Sequence, residues 1–259
     1  MNALPLGIRR TAFFLREYLF PFGCSACGVS LVGTAESWYG LCEGCRAGIE
    51  LELNESLAGK TCAHCGRPLV SEHESCLSCR SQDQRALDRV IVLFPYMGKY
   101  RKLLSAYKFG RNLALGNLFA EKILGLLDCD AFTMDPLLGV SIVPVPPRPG
   151  RVRKTGWDQI EYLVRLLERK TWKGRGNSMG HVCHVNRCLR RLPSGSQKEL
   201  GRESRRTNLR GRIVPVRRTP ETAIIVDDVM TTGSTLDACA AALREGGTKT
   251  VFGLCLFYD

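Results

Sequence analysis

The rhythm of apolar and polar positions changes twice along this chain, and the changes divide it. Thr11–Phe22 is dense in Phe, Leu and Tyr but is interrupted by Arg16 and Glu17. That pattern predicts an amphipathic helix within residues 1–23 rather than a signal peptide, because no small-residue cleavage site follows. Residues 24–80 are punctuated by cysteines instead. From Asp88 a regular alternation sets in. Arg89–Phe94 is a β-rich run, and Lys99–Tyr107 and Leu113–Leu127 carry apolar residues at helical spacing. Gly139–Val145 is an apolar strand that runs into Pro144, Pro146, Pro147 and Pro149. Trp157–Leu167 puts Ile160, Leu163, Val164 and Leu167 on one helix face. His181–Leu189 reads as a strand, Glu221–Val226 as a buried strand, Ser234–Glu245 as a helix and Thr248–Phe257 as a last strand. Strand–helix repetition of this kind predicts an α/β domain over residues 88–259, a parallel sheet flanked by helices.

Composition narrows the class. The 259 residues are 44% apolar, enough for one large domain and a small one. The longest apolar run, Leu137 to Pro147, is too short to span a bilayer. A membrane-spanning, collagenous or wholly disordered protein is excluded. There are 37 Lys and Arg against 25 Asp and Glu, a formal charge of +12. The excess is local: residues 142–220 hold 20 basic and 5 acidic residues, while the remainder is slightly acidic. A concentration of positive charge makes an anionic partner the expected one, whether nucleotide, pyrophosphate or nucleic acid.

Eight of the 13 cysteines form four Cys-x2-Cys pairs: Cys24/Cys27, Cys42/Cys45, Cys62/Cys65 and Cys76/Cys79. Nothing directs the chain to export, so a reducing cytoplasm is the expected compartment, and there such pairs mean metal rather than disulfides. The spacing predicts two structural Zn²⁺ sites of four thiolates each, in residues 24–80. The simplest arrangement joins the first pair to the second and the third to the fourth; interleaved pairing is the alternative. Eight thiolates bring two Zn²⁺ to a net −4 and lower the total charge to about +8. Gly28 and Gly66 directly follow a pair, where a residue without Cβ lets backbone N–H groups approach sulfur. In so small a segment the metal is expected to replace a core. His64 and His73 are expected at the surface, since eight thiolates already fill two tetrahedral sites. The segment and the α/β domain are expected to have separate cores.

The sharpest motif is the run from Ala223 to Leu236, Ala-Ile-Ile-Val-Asp-Asp-Val-Met-Thr-Thr-Gly-Ser-Thr-Leu. An apolar strand runs into Asp227 and Asp228, then Val229 and Met230, then Thr231, Thr232, Gly233, Ser234 and Thr235 opening a helix. Hydroxyls, a glycine that permits close backbone approach and a helix N-terminus make a dianion site. The two carboxylates would repel phosphate; vicinal ribose hydroxyls suit them, because carboxylates accept hydrogen bonds from such groups. Asp228 and Gly233 are expected in a loop at the edge of the sheet.

Phosphoribosyl pyrophosphate (PRPP) carries a 5-phosphate, two ribose hydroxyls and a leaving group, and this stretch resembles the PRPP-binding signature of type I phosphoribosyltransferases at every position. With four-cysteine segments in front, nearly the whole chain resembles the ComF/GntX family of phosphoribosyltransferase-like proteins, named for bacterial DNA competence. Phe94–Phe109, ending Lys108-Phe109-Gly110, resembles one family element, and Val143-Pro-Val-Pro146 another. Gln197, Leu200, Arg205 and Asn208 match its Gln-x2-Leu-x4-Arg-x2-Asn pattern. One element departs: the family's Arg-Gly-Phe-Asn-Gln is here Thr155-Gly156-Trp157-Asp158-Gln159. If the family's Arg contacts pyrophosphate or acceptor, that contact is lost here, or Lys154 supplies it.

The resemblance implies a type I phosphoribosyltransferase-like fold and a PRPP or nucleotide ligand. In it Asp227 and Asp228 hold the ribose, Val229–Thr235 the phosphate, and Pro146, Pro147 and Arg148 the pyrophosphate loop. Lys108, Arg202, Arg205 and Arg206 are candidates for a basic cover. If the chain is catalytic, Mg²⁺ enters with PRPP, and a phosphoribosyl group passes to an acceptor that no hood element identifies. The alternative is a non-catalytic component of DNA uptake that binds nucleotide and single-stranded DNA and meets a helicase-type partner.

Overall fold

The computed structural model describes residues 23–72, 74–80, 86–128, 140–172, 184–193 and 211–259. The helix expected in residues 1–23 therefore lies, apart from Gly23, outside the described residues. A five-stranded sheet forms the centre. Its strands are β1 (Arg89–Pro95), β2 (Ser141–Pro144), β3 (His184–Val185), β6 (Thr222–Met230) and β7 (Thr250–Tyr258), in the order β1-β7-β6-β2-β3. Every neighbouring pair is parallel. A short antiparallel ribbon pairs β4 (Leu189–Arg191) with β5 (Ile213–Pro215). This is the α/β phosphoribosyltransferase-like architecture expected above.

The strands read as nearly continuous apolar runs because both faces of the sheet are covered. One face packs against α4 (Gly98–Lys108), α5 (Ala114–Asp128) and α7 (Gln159–Trp172). There Tyr107 meets Phe119 edge to face, and Phe119 meets Phe257 in the same way. The other face is covered by α8 (Ser234–Glu245), with Leu236, Cys239 and Leu243 buried. Cys188, Cys239 and Cys255 are apolar core residues of this second layer.

The expected strand His181–Leu189 is divided. Only His184–Val185 joins the main sheet, and Leu189–Arg191 turns away into the ribbon. A short helix α6 (Arg151–Thr155) precedes α7. The cysteine segment contains α1 (Thr34–Tyr39), α2 (Glu43–Ala58) and α3 (Leu77–Arg80).

The expectation of separate cores is overturned. Cys24, Ala26, Leu31, Leu41, Ile49 and Leu53 belong to the same buried cluster as Leu93, Phe94, Leu103 and Phe119. Polar ties reinforce the contact: Asn117 Nδ2 donates to the Trp38 carbonyl (3.0 Å), Asn112 Nδ2 to Ser25 Oγ (2.9 Å) and Tyr39 to Glu121. The second cysteine cluster covers the edge of the sheet. The Val90 N–H on edge strand β1 donates to the Ala63 carbonyl (2.7 Å), and a Cβ at Gly66 would lie 2.6 Å from Val92 Cγ2. An exposed strand edge is a template for aggregation, and here a cysteine knuckle blocks part of it.

Candidate functional site

The two cysteine groups are closed and sequential. Cys24, Cys27, Cys42 and Cys45 converge at one point, and Cys62, Cys65, Cys76 and Cys79 at another, with all sulfurs of a group within 4.8 Å of one another. The interleaved alternative is thereby excluded, and His64 belongs to neither group; His73 lies outside the described residues. Both knuckles use the same hydrogen bonds: Gly28 N–H to the Cys24 carbonyl and Gly66 N–H to the Cys62 carbonyl, each 2.8 Å. The positive φ of Gly28 (84°) and Gly66 (71°) makes each turn possible. Cys27 and Cys42 sulfurs are 3.7 Å apart, as are Cys65 and Cys76. Zn–S bonds of about 2.3 Å at tetrahedral angles separate sulfurs by about 3.8 Å, so the donor set fits Zn²⁺ and is far too open for disulfides. Burial alone would raise the Cys24 thiol, but backbone N–H groups of Cys27, Cys42 and Ala26 outweigh it and bring its pKa down to about 6. In the second group the Cys76 N–H donates to Cys62 Sγ (3.3 Å).

The second candidate site lies where the sheet changes direction. From β2 the chain crosses through α7 on one face to β3; from β6 it crosses through α8 on the other face to β7. The crevice between the carboxyl ends of β2 and β6 is thus a topological switch point, the place where open α/β sheets bind ligands. Asp227 and Asp228 stand there. Asp228 is not in an edge loop as expected: it and Asp227 lie within β6, the middle strand, and Asp227 pairs with Cys255 of β7. Beyond them Val229 and Met230 finish the strand, and Thr231 and Thr232 are exposed. Gly233 adopts φ 76° as the N-cap of α8. Thr232 and Ser234 hydroxyls share a hydrogen bond of 2.8 Å, and the Thr232 hydroxyl leans on the Ser234 N–H (3.4 Å). The first-turn amides of α8 have no partner within the helix, an arrangement that favours an anion.

Asp228 is buried, and its Oδ2 accepts two donors, the Lys108 ammonium at the end of α4 and Gln159 Nε2 at the start of α7 (2.7 Å). Gln159 is held from behind. Arg151 donates to its Oε1 (3.2 Å), and the buried Tyr107 hydroxyl donates to its carbonyl (2.6 Å). Lys108 thus sits at the floor of the site rather than in a cover. Pro146 is buried after β2, Pro147 and Arg148 are exposed, and the Arg148 carbonyl receives the Arg151 N–H (3.0 Å) in the turn that opens α6. The basic ribbon reaches the same place. Burial lowers the pKa of Arg191, and Arg148 and Arg212 lower it further by repulsion, while Cys239 and Asp227 pull the other way. Arg202, Arg205 and Arg206, with Gln197, Leu200 and Asn208, lie outside the described residues.

The departures at Thr155 and Asp158 have local explanations. Asp158 Oδ1 accepts the N–H groups of Ile160 (2.9 Å) and Glu161 (3.0 Å), so it is the N-cap of α7, a role Asp and Asn fill about equally. Thr155 Oγ1 donates to the Arg151 carbonyl (2.9 Å), and Arg111, on a turn with φ 51°, donates to the Thr155 carbonyl. Arg111 and Arg151 bring guanidinium groups to this turn. Neither they nor Arg212 stood out in the sequence. The adjacency of Gln159 to a capping Asp was the available signal for a buried, positioned amide.

Asp227 carries a measurable signature. Burial raises its pKa most, the neighbouring Asp228 carboxylate raises it further, and it reaches about 8 against 3.8 for a free Asp. Between about pH 4 and pH 8 the folded chain therefore keeps a proton that the unfolded chain has released, so this residue's contribution to stability falls as pH rises through that window. Asp227→Asn, which retains the acceptor for the Asp228 N–H, is expected to gain in melting temperature over wild type by more at pH 8 than at pH 5. An equal difference at both values would contradict the raised pKa.

The fold is phosphoribosyltransferase-like, fronted by two four-cysteine groups suited to Zn²⁺. No family model matches the chain. It is 28% identical to competence protein F of Haemophilus influenzae over 222 residues, 82% of this chain and 87% of that protein. It is 27% identical to the DNA utilization protein YhgH of Escherichia coli O157:H7 over 75% of this chain and 82% of the relative. The competence protein ComFC of Bacillus subtilis is 23% identical over 80% and 79%. These relatives span most of the chain, and with the two four-cysteine groups in front of the sheet the chain is similar to ComF-type competence and DNA utilization proteins. Among the described residues no helix is long and apolar enough to cross a membrane.

Proposed function

We propose that this protein binds PRPP, or a nucleotide of the same shape, at the carboxyl end of β6. The observation that carries the reading is the continuity of Asp227 and Asp228 with the Thr231–Thr235 loop at the switch point of the sheet. The 5-phosphate occupies the loop and the N-terminus of α8, and the ribose hydroxyls donate to the carboxylates. Arg148 and the Pro146–Pro147 turn lie at the carboxyl end of β2, on the pyrophosphate side. The oxygen donors here, two carboxylates and the threonine hydroxyls, suit a hard cation, and Mg²⁺ held with PRPP would neutralise a departing pyrophosphate. In a transfer reaction the C1–O bond to pyrophosphate breaks, positive charge grows on the ribose ring and an acceptor nucleophile bonds to C1. The chain's part is to position both and to surround the leaving group with positive charge.

Calorimetry with PRPP and Mg²⁺ tests the reading. Binding is expected for the wild type. Asp228→Ala removes charge-assisted hydrogen bonds of roughly 1.5–3 kcal/mol each, so affinity should fall about tenfold or more. No heat at millimolar PRPP would dismiss the proposal.

A second reading places the chain in cytoplasmic DNA uptake as a binding component, with single-stranded DNA and a helicase-type protein as partners. It is favoured by the names of the relatives, competence and DNA utilization proteins, and by the basic stretch from 142 to 220. Binding to a single-stranded oligonucleotide should then weaken steeply with salt, and Arg205→Ala with Arg206→Ala should reduce both affinity and salt slope. Affinity insensitive to salt would favour the enzymatic reading alone. Each Zn²⁺ site has a structural role in either case.

A further inference from the structure

The partners of Asp228 bear on which ligand the site selects, given that PRPP or a similar molecule binds there as proposed above. Its Oδ2 already accepts Lys108 and Gln159, so a ribose hydroxyl that is to donate to this carboxylate competes with one of them. Gln159 is the fixed partner. Its side-chain oxygen is engaged by Arg151 and its backbone carbonyl by Tyr107, and the residue is buried. Lys108 is the movable one. It is the last residue of α4, on a four-carbon stem with rotatable bonds, and at a helix C-terminus where a cation is favoured in several positions.

Displacement has a condition. The Lys108 and Asp228 side chains are only 20% and 10% exposed, so an ammonium moved off its carboxylate stays partly desolvated and needs another anion. The 5-phosphate cannot serve, because it lies at the far end of the ribose, on the Thr231–Thr235 loop. An anionic group at C1 can, provided that Asp228 receives the 2-hydroxyl beside it.

We infer that Lys108 is a specificity-determining residue: exchanging Asp228 for an anion at C1, it makes the site prefer a ribose 5-phosphate with a charged C1 substituent over one without. The site thus distinguishes a pyrophosphorylated donor from a plain sugar phosphate through an ion pair that one ligand replaces and the other only breaks.

The test compares PRPP with ribose 5-phosphate by calorimetry at fixed Mg²⁺, on wild type, Lys108→Met and Lys108→Gln. The glutamine keeps a hydrogen-bond donor toward Asp228 and guards against a methionine variant that fails to fold. Wild type is expected to prefer PRPP. In both variants the preference should shrink about tenfold or more, with the loss falling on PRPP and ribose 5-phosphate changing less than about twofold. Lys108→Arg, which keeps the charge, should retain most of the preference. Equal losses for both ligands, or a wild type without preference, would overturn the inference while leaving the binding site standing. A wild type that binds neither ligand would overturn the site assignment itself, and the inference with it.

Discussion

Cys76→Ser is expected to remove one of two Zn²⁺ ions per chain and to lower the melting temperature by well over about 10 °C, with the sheet and the cysteine segment melting together. Two effects add. A four-thiolate site that loses a ligand gives up much of a binding energy that is also folding energy, about 10–16 kcal/mol in isolated zinc-finger peptides. The knuckle it anchors also covers β1 through the Ala63–Val90 hydrogen bond and the approach of Gly66 to Val92, so its loss exposes a sheet edge. Cys24→Ser should likewise reach beyond its own site, since Leu41, Ile49 and Leu53 pack in the cluster that holds Phe94 and Phe119. Elemental analysis after purification under reducing conditions, with hydrogen exchange at the Val90 amide, checks both parts. Two separate transitions, with Val90 protected through the first, would restore the picture of independent cores.

The second large effect is on binding rather than folding. Gly233 has φ 76° where the strand hands over to α8. A β-branched side chain is strongly disfavoured at such a φ, at a cost of roughly 1–3 kcal/mol, and its methyl groups would enter the phosphate cradle. Gly233→Val is therefore expected to weaken PRPP binding about thirtyfold or more while losing at most about 10 °C in melting temperature. PRPP bound equally well by the variant and the wild type would remove the cradle from the account.

Much of this was legible in the sequence, and the exceptions have physical reasons. The helices α4, α5 and α8 and the strands β1 and β7 fall within two residues of their expected bounds, because each buries a periodic or continuous apolar run. β6 continues through Asp227 to Met230, where Glu221–Val226 was expected. Carboxylates read as the end of a strand, yet the backbone goes on pairing with β7 while the side chains meet the crevice and Lys108. Helix α2 was hidden because it buries only Ile49 and Leu53, one narrow stripe among glutamates that pair with Lys99, Lys122 and Arg46. The two four-cysteine groups were legible in full, since a repeated spacing needs no tertiary information. The turn from β6 into α8 was legible because strand, acids, glycine and hydroxyls are contiguous. Gln159, Arg151 and Arg111 were not, because they reach the site from α7, α6 and the turn after α4, and only the folded sheet brings those segments together.

The most direct test is a crystal structure of the protein with PRPP and Mg²⁺. The account predicts the 5-phosphate within hydrogen-bond distance of the Thr231–Thr235 backbone N–H groups, the ribose hydroxyls on Asp227 and Asp228, and Lys108 moved from Asp228 toward the pyrophosphate. PRPP bound elsewhere, or a phosphate loop empty beside a PRPP seated on another part of the sheet, would contradict it.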